Sequence, residues 1–145
     1  LSQDAPVIFP CHPRTLKQIG KFNLESKFLS LDTTKGNVNS GIIITNPLSY
    51  NDFLYLWKDS CLVLTDSGGI QEETTVLGIP CFTIRDNTER PITIKEGTNV
   101  LVGTTSKGIL NAYRKYKKAS RKKRKAPKFW DGKTAGRIVK ILIKN

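Results

Sequence analysis

The sequence predicts an α/β protein built on a parallel sheet with helices on both faces. Three observations carry that prediction. Five short apolar runs, at residues 7–9, 42–44, 62–64, 81–84 and 100–102, are continuous and rich in β-branched residues. Strands buried on both faces read this way. Helix-like stretches lie between or after them, at about residues 14–21, 50–58, 70–77, 106–122 and 133–143, and alternation of the two types implies parallel pairing. Finally, polar, cationic and glycine residues follow the runs, where ligands bind in an open parallel sheet.

The first run is followed by Cys11, His12, Pro13 and Arg14, and the second by Asn46, Pro47 and Leu48. The third leads into Thr65-Asp66-Ser67-Gly68-Gly69-Ile70-Gln71-Glu72-Glu73, the most informative segment of the chain. A strand that turns through two glycines into a helix gathers backbone N–H groups at the positive end of the helix dipole, which suits a phosphate. Glu73 lies about one helical turn beyond the glycines. Its carboxylate has only acceptors, so a ribose diol attached to that phosphate is a natural partner. The plainer alternative is a helix capped by Asp66 or Ser67, with glutamates favouring its first turn. The fourth run is followed by Arg85-Asp86-Asn87-Thr88-Glu89-Arg90-Pro91, and a loop at Glu96-Gly97-Thr98-Asn99 precedes the fifth.

A chain of 145 residues is long enough to bury a core as one domain. It starts at Leu1 and contains no Met, so a fragment of a longer protein is expected. No run approaches the ~18 apolar residues of a membrane-spanning helix, and no signal peptide is apparent. Cys11, Cys61 and Cys81 each sit at the edge of an apolar run without metal-site spacing. They are expected to be buried free thiols in a reducing, cytoplasmic setting.

The net charge of +12 is local: residues 114–128 carry ten Lys and Arg and no acid, and removing them leaves +2. This stripe could contact RNA, DNA or an anionic membrane. It lacks interleaved stacking aromatics and any nucleic-acid module. A solvated helix face is therefore preferred, with Ile109, Leu110, Tyr113 and Tyr116 packing inward.

The segments FPCHPRT (9–15), LTDSGGIQEE (64–73), LGIPC (77–81), RDNTERP (85–91) and EGTNVLVG (96–103), with FWDGKTAGRIVKIL (129–142), resemble the non-hydrolysing UDP-N-acetylglucosamine 2-epimerases. The resemblance covers nearly all of the chain except the basic stripe. It implies a Rossmann-like three-layer α/β/α sheet, the second domain of a GT-B-type two-domain enzyme. Residues 1–145 would be the C-terminal, UDP-binding part, with the N-terminal domain missing. The family interconverts UDP-GlcNAc and UDP-ManNAc by eliminating UDP and adding it back, and such sugars feed polysaccharide biosynthesis. It uses no metal and no NAD, and its members form homodimers.

Carried over by position, the resemblance implies that Ser67, Gly68 and Gly69 bind the diphosphate and that Glu73 accepts hydrogen bonds from the ribose. Leu48 would meet uracil through its backbone, with Phe53 beside the base. Arg90 would add charge near the diphosphate, as a guanidinium does well. His12 would point toward the substrate or toward a second, regulatory nucleotide-sugar. Rival readings stay open: Phe53 as a core residue of its helix, Arg90 as a partner of Glu89 or Asp86, and His12 as a structural cap. The family's catalytic carboxylates belong to the first domain, so no catalytic residue is expected in this chain. The alternatives for the whole are a GT-B glycosyltransferase and, more distantly, a nucleic-acid-binding module acting through 114–128.

Overall fold

The computed structural model describes residues 1–30, 38–119 and 126–144. Its contacts divide the chain into two compact units, Leu1–Leu54 and Tyr55–Asn145.

In the first unit, β1 (Val7–Pro10) leads into α1 (Pro13–Lys21), and a 3₁₀ turn (Glu25–Lys27) leads into β2 (Leu29–Ser30). Strand β3 (Ile42–Thr45) then pairs in parallel with both, giving the order β1-β3-β2 and the register Val7 to Ile42 and Leu29 to Ile43. Pro13 opens α1, where its missing N–H costs nothing and its fixed φ suits a first helical position. The helix buries Ile19, and Cys11 and Ile43 complete the buried apolar set among the described residues of this unit. β1 and β3 are half-buried, not sealed on both faces as the apolar runs suggest. A three-stranded sheet has only one interior strand, and this unit offers it one full helix and the start of a second.

That second helix, α2 (Tyr50–Trp57), begins with a reciprocal cap. Ser49 Oγ accepts from the Asp52 N–H at 3.3 Å and donates to the Asp52 carboxylate at 2.6 Å.

The second unit runs β4 (Val63–Thr65), α3 (Gly68–Leu77), β5 (Cys81–Thr83), α4 (Pro91–Lys95), β6 (Asn99–Leu101), α5 (Ser106–Lys118) and α6 (Thr134–Ile143). The strands pair in parallel in the order β4-β5-β6, with Thr65 opposite Thr83 and Thr83 opposite Leu101. β5 is the interior strand and all three of its residues are buried. Gly78 ends α3 in the left-handed conformation (φ 73°), its N–H bonding back to Thr74 and Thr75 carbonyls.

Four sequence-based expectations change. The segment between β5 and β6 contains a helix, α4, and Asn99 belongs to a strand and is buried. Strand β2, only two residues long, gives no periodic signal. Leu110 is exposed, while Ile109, Tyr113 and Tyr116 are half-buried. Those three share one face at spacings of four and three, and position 110 lies about 100° away on the helix. Tyr116 packs edge-on against Phe82 at 6.0 Å between centroids, and its hydroxyl donates to the Cys61 carbonyl. Cys61 itself is exposed, because it lies before β4 in a bend outside the sheet. Of the basic stripe, Arg114, Lys115, Lys117 and Lys118 are exposed on α5, and residues 120–125 lie outside the described residues.

Before α6, Arg137 clamps the preceding turn. Its guanidinium donates to both Asp131 oxygens at 2.9 Å and to the Phe129 carbonyl at 2.8 Å, and it lies 5.0 Å from the Phe129 ring centroid. The Lys133 N–H, first, and Arg137, second, hold the Asp131 carboxyl below its ordinary range. A carboxylate depressed in the folded state contributes stability above its unfolded pKa and loses it as pH falls through the folded value. The Asp131 carboxyl titration, followed by carbon-13 NMR, should therefore move to higher pH in Arg137→Ala.

Burial pushes the Cys81 and Cys11 thiols up, disfavouring thiolate, whereas Cys61 is open to solvent. A maleimide added to the native chain at neutral pH should modify Cys61 at least ~10-fold faster than the two buried thiols. Mass spectrometry of a labelling time course reads this directly.

Candidate functional site

The turn between β4 and α3 is set by Thr65, the last residue of the strand. Its buried Oγ1 accepts the Ser67 N–H at 3.0 Å, which fixes the chain as it leaves the sheet. Ser67 then occupies the N-cap position with extended backbone angles (φ −80°, ψ 131°), but its hydroxyl makes no capping bond. The first N–H groups of a helix have no partner within the helix. With no capping side chain, the first turn of α3 presents them outward with the positive end of the dipole. Asp66 makes no cap either.

Gly68 and Gly69 form that first turn. Neither has a positive φ, so the backbone does not demand glycine. Nor does packing: a Cβ on Gly68 would meet nothing within 4 Å, and one on Gly69 would meet only Ser67 Oγ at 4.0 Å. Glycine in a helix costs about 0.5–1 kcal/mol relative to alanine. Two glycines thus leave bare backbone where the protein itself gains nothing from it. The contrast with Gly97 is sharp, since a Cβ there would collide with Thr75 and with the Thr93 carbonyl.

Glu73 is half-buried, about 200° round the helix from Gln71. Arg90, expected beside the same turn, sits at the N-cap position of α4 with Pro91 following it. Its Nε lies 2.8 Å from Glu72 Oε1, and it also touches the Glu89 carbonyl at 3.4 Å. The Arg90–Glu72 contact is an ion pair whose angle falls outside a directed hydrogen bond, which leaves the buried Nε–H without an aligned acceptor. Both side chains are 41% exposed, so solvent screens the pair and its worth to stability is at most about 1 kcal/mol. Arg90's carboxylate partner is therefore Glu72, not Glu89 or Asp86.

In the first unit, β1 and β3 are parallel neighbours, so His12 and Leu48 follow strands at the same edge of that sheet. His12 is exposed and caps α1, its Nδ1 accepting the Arg14 N–H at 3.2 Å. That bond leaves Nε2 pointing away from the helix end. Leu48 is 39% exposed, in the segment between β3 and α2. Phe53 is half-buried on α2. Ser67, Gly68, Gly69, Glu73 and Arg90 belong to the second unit.

Beneath the turn lies a set of residues that pattern reading passes over. Gln71, Thr74, Thr75, Thr83, Thr93 and Asn99 are all at most 2% exposed. Gln71, Thr74 and Thr75 are the buried side chains of α3. The two threonines return their hydroxyls to helix carbonyls, Thr74 to Ile70 at 2.7 Å and Thr75 to Gln71 at 2.8 Å. The signal was the spacing itself: polar residues at i, i+3 and i+4 mark one helix face. Among the described residues no cluster of His, Cys, Asp and Glu could hold a metal ion, and no helix is long and apolar enough to cross a membrane.

The family model for UDP-N-acetylglucosamine 2-epimerase matches residues 1–143. The chain belongs to that family. The UDP-N-acetylglucosamine 2-epimerase of Methanocaldococcus jannaschii is 42% identical over 139 residues, covering 96% of this chain and 35% of the relative. A crystal structure of an M. jannaschii epimerase in complex with UDP-GlcNAc and UDP superposes with a TM-score of 0.74 and 43% identity, over 99% of this chain and 37% of that one. The UDP-2,3-diacetamido-2,3-dideoxy-D-glucuronate 2-epimerase of Pseudomonas aeruginosa is 37% identical over 110 residues, 76% of this chain and 27% of the relative. The chain thus spans about a third of the length of these epimerases, and the parallel-sheet α/β class read from the sequence holds.

If the glycines serve a ligand and not the fold, Gly68→Ala and Gly69→Ala should leave the melting temperature unchanged or raise it. Each should nevertheless weaken nucleotide diphosphate binding by about tenfold or more, because a methyl group would occupy the approach to the N–H groups. Thermal unfolding and calorimetric titration of the same preparations separate the two effects.

Proposed function

We propose that this chain is the nucleotide-binding part of a UDP-N-acetylglucosamine 2-epimerase. The complete enzyme would interconvert UDP-GlcNAc and UDP-ManNAc. Loss of the C2 proton and of UDP from C1 would leave a glycal, and return of UDP to C1 with a proton to the opposite face of C2 would give the epimer. The chain must keep its grip on UDP while the sugar is detached from it. The observation that carries this reading is the uncapped first turn of α3, whose two glycines meet nothing of the protein.

In this reading Ser67, Gly68 and Gly69 take the diphosphate, Arg90 adds positive charge beside it, and Glu73 accepts from the ribose hydroxyls. Charge-assisted bonds of this kind are about twice as strong as neutral ones. The roles of Leu48 and Phe53 at uracil, and of His12 at the sugar or at a regulatory nucleotide-sugar, rest on the family resemblance alone. Proton transfer at C2 would fall to carboxylates on the remainder of the enzyme, and the complete enzyme would be a cytoplasmic homodimer. The similarity to an epimerase of a diacetamido-glucuronate supports a second reading of the sugar. Under it the nucleotide is the same and only the group on the far side of the diphosphate changes.

Calorimetric titration with UDP, with AMP as control, tests the assignment. UDP should bind saturably and AMP at least ~10-fold more weakly, and Glu73→Ala should weaken UDP binding by about tenfold through loss of the ribose acceptor. Equal affinities, or a Glu73→Ala chain that binds UDP like the parent, would contradict it.

A further inference from the structure

We infer that Gln71 is a positioning residue, the hub through which helix α3 holds Arg90 in place for a nucleoside diphosphate; this deepens the proposed nucleotide reading and rests on it.

Gln71 is fully buried, and its Oε1 accepts two hydrogen bonds, from Thr88 Oγ1 at 2.6 Å and from Asn99 Nδ2 at 3.1 Å. From each donor a chain of bonds continues to the main chain of Arg90. On one side Thr88 Oγ1 accepts the Arg90 N–H at 3.0 Å. On the other, Asn99 Nδ2 also donates to Thr93 Oγ1 at 3.1 Å, and Thr93 donates to the Arg90 carbonyl at 2.7 Å. The ring closes on one residue, with Arg90 held at both its N–H and its C=O.

The proton directions are consistent around the ring. Each hydroxyl in the ring has one proton to give. Thr88 gives its own to Gln71, and Thr93 gives its own to Arg90. Asn99 spends both amide protons, and its Oδ1 takes the Thr83 hydroxyl at 2.6 Å. Rotating the Asn99 amide alone would set two oxygens against each other, and rotating Gln71 alone would set two amide N–H groups against each other, so the two side chains are oriented as a pair. Gln71 Nε2 is buried without an acceptor, a cost of about 1–3 kcal/mol for an unmet donor.

The same helix also holds Arg90's side chain, since Glu72, next to Gln71, lies 2.8 Å from its Nε. Main chain and guanidinium are both referenced to α3, and α3 carries the glycine turn at its start. The main chain of Arg90 is thereby held in a set relation to the N–H groups at the start of α3, while its guanidinium stays free to turn. Glu72 is exposed enough to yield the guanidinium to a phosphate; Gln71 has no such freedom.

The test combines a ligand-free and a ligand-bound readout on the full 145-residue chain. Thr88→Val keeps the shape and removes only the Thr88 arm between Gln71 and Arg90, Thr88→Ser keeps that arm, and Gln71→Leu removes both arms. Hydrogen exchange of the Arg90 amide should accelerate at least ~10-fold in Thr88→Val and Gln71→Leu and stay near the parent rate in Thr88→Ser. The dissociation constant for UDP should rise ~10-fold in the same two variants. Added to Arg90→Ala, neither should cause further loss, because the residue being positioned is gone. Unchanged exchange in Thr88→Val, or UDP losses that add fully to those of Arg90→Ala, would overturn the proposal. Faster exchange with unchanged UDP affinity would support the clamp on Arg90 and overturn the nucleotide role given to that arginine.

Discussion

The constraint on which the second unit depends is that helix α3 is seated by polar contacts. A helix lying on a parallel sheet ordinarily buries an apolar stripe. This one buries Gln71, Thr74 and Thr75. A buried polar group without a partner costs roughly 1–3 kcal/mol; the two threonines are met by carbonyls of their own helix, whereas Gln71 demands specific neighbours across the fold, Thr88 and Asn99. Apolar packing tolerates small slides of one element over another; a hydrogen-bonded network does not. The start of α3, the segment after β5 and the start of β6 are therefore locked in one relation, through Gln71, Thr88 and Asn99.

Under the proposed function, that rigidity would let a bare glycine turn act as a binding element. Two glycines at a helix start weaken the helix locally, and an uncapped turn forgoes about 1 kcal/mol more. The cost is offset from below and behind: Thr65 fixes the entry to the turn, the buried threonines satisfy themselves against their own helix, and Gly78 terminates it cleanly. Preorganised donors serve an anion better than flexible ones, because no reorganisation is needed when the ligand arrives. Under the proposed function, in which a leaving group is retained until it is returned, such a fixed cradle would serve that chemistry.

Much of this was legible in the sequence. The five apolar runs locate five of the six described strands to within a residue or two, and Ser67-Gly68-Gly69 marks the turn because glycine and cap residues act locally. What escaped was non-local or too short. Strand β2 and helix α4 are two and five residues long, below the reach of any periodicity. Gln71 and Asn99 are separated by 28 positions, and nothing in either neighbourhood announces the other. Asn99 reads as a loop residue and Glu72 as one more helix carboxylate until the fold sets them beside Thr83 and Arg90. Cys61 is expected inside from its place at the edge of an apolar run and Leu110 as part of an inward helix face, whereas Cys61 lies in a bend outside the sheet and Leu110 lies off the packed face of its helix.

The central claim is that the first turn of α3 receives a nucleotide diphosphate. Its most direct test is an amide chemical-shift map of the nitrogen-15-labelled chain with and without UDP. The largest perturbations should fall on the backbone amides of Gly68, Gly69 and Ile70, accompanied by the Nε–H signal of Arg90. Saturable binding that leaves those four signals in place while moving others would contradict the account.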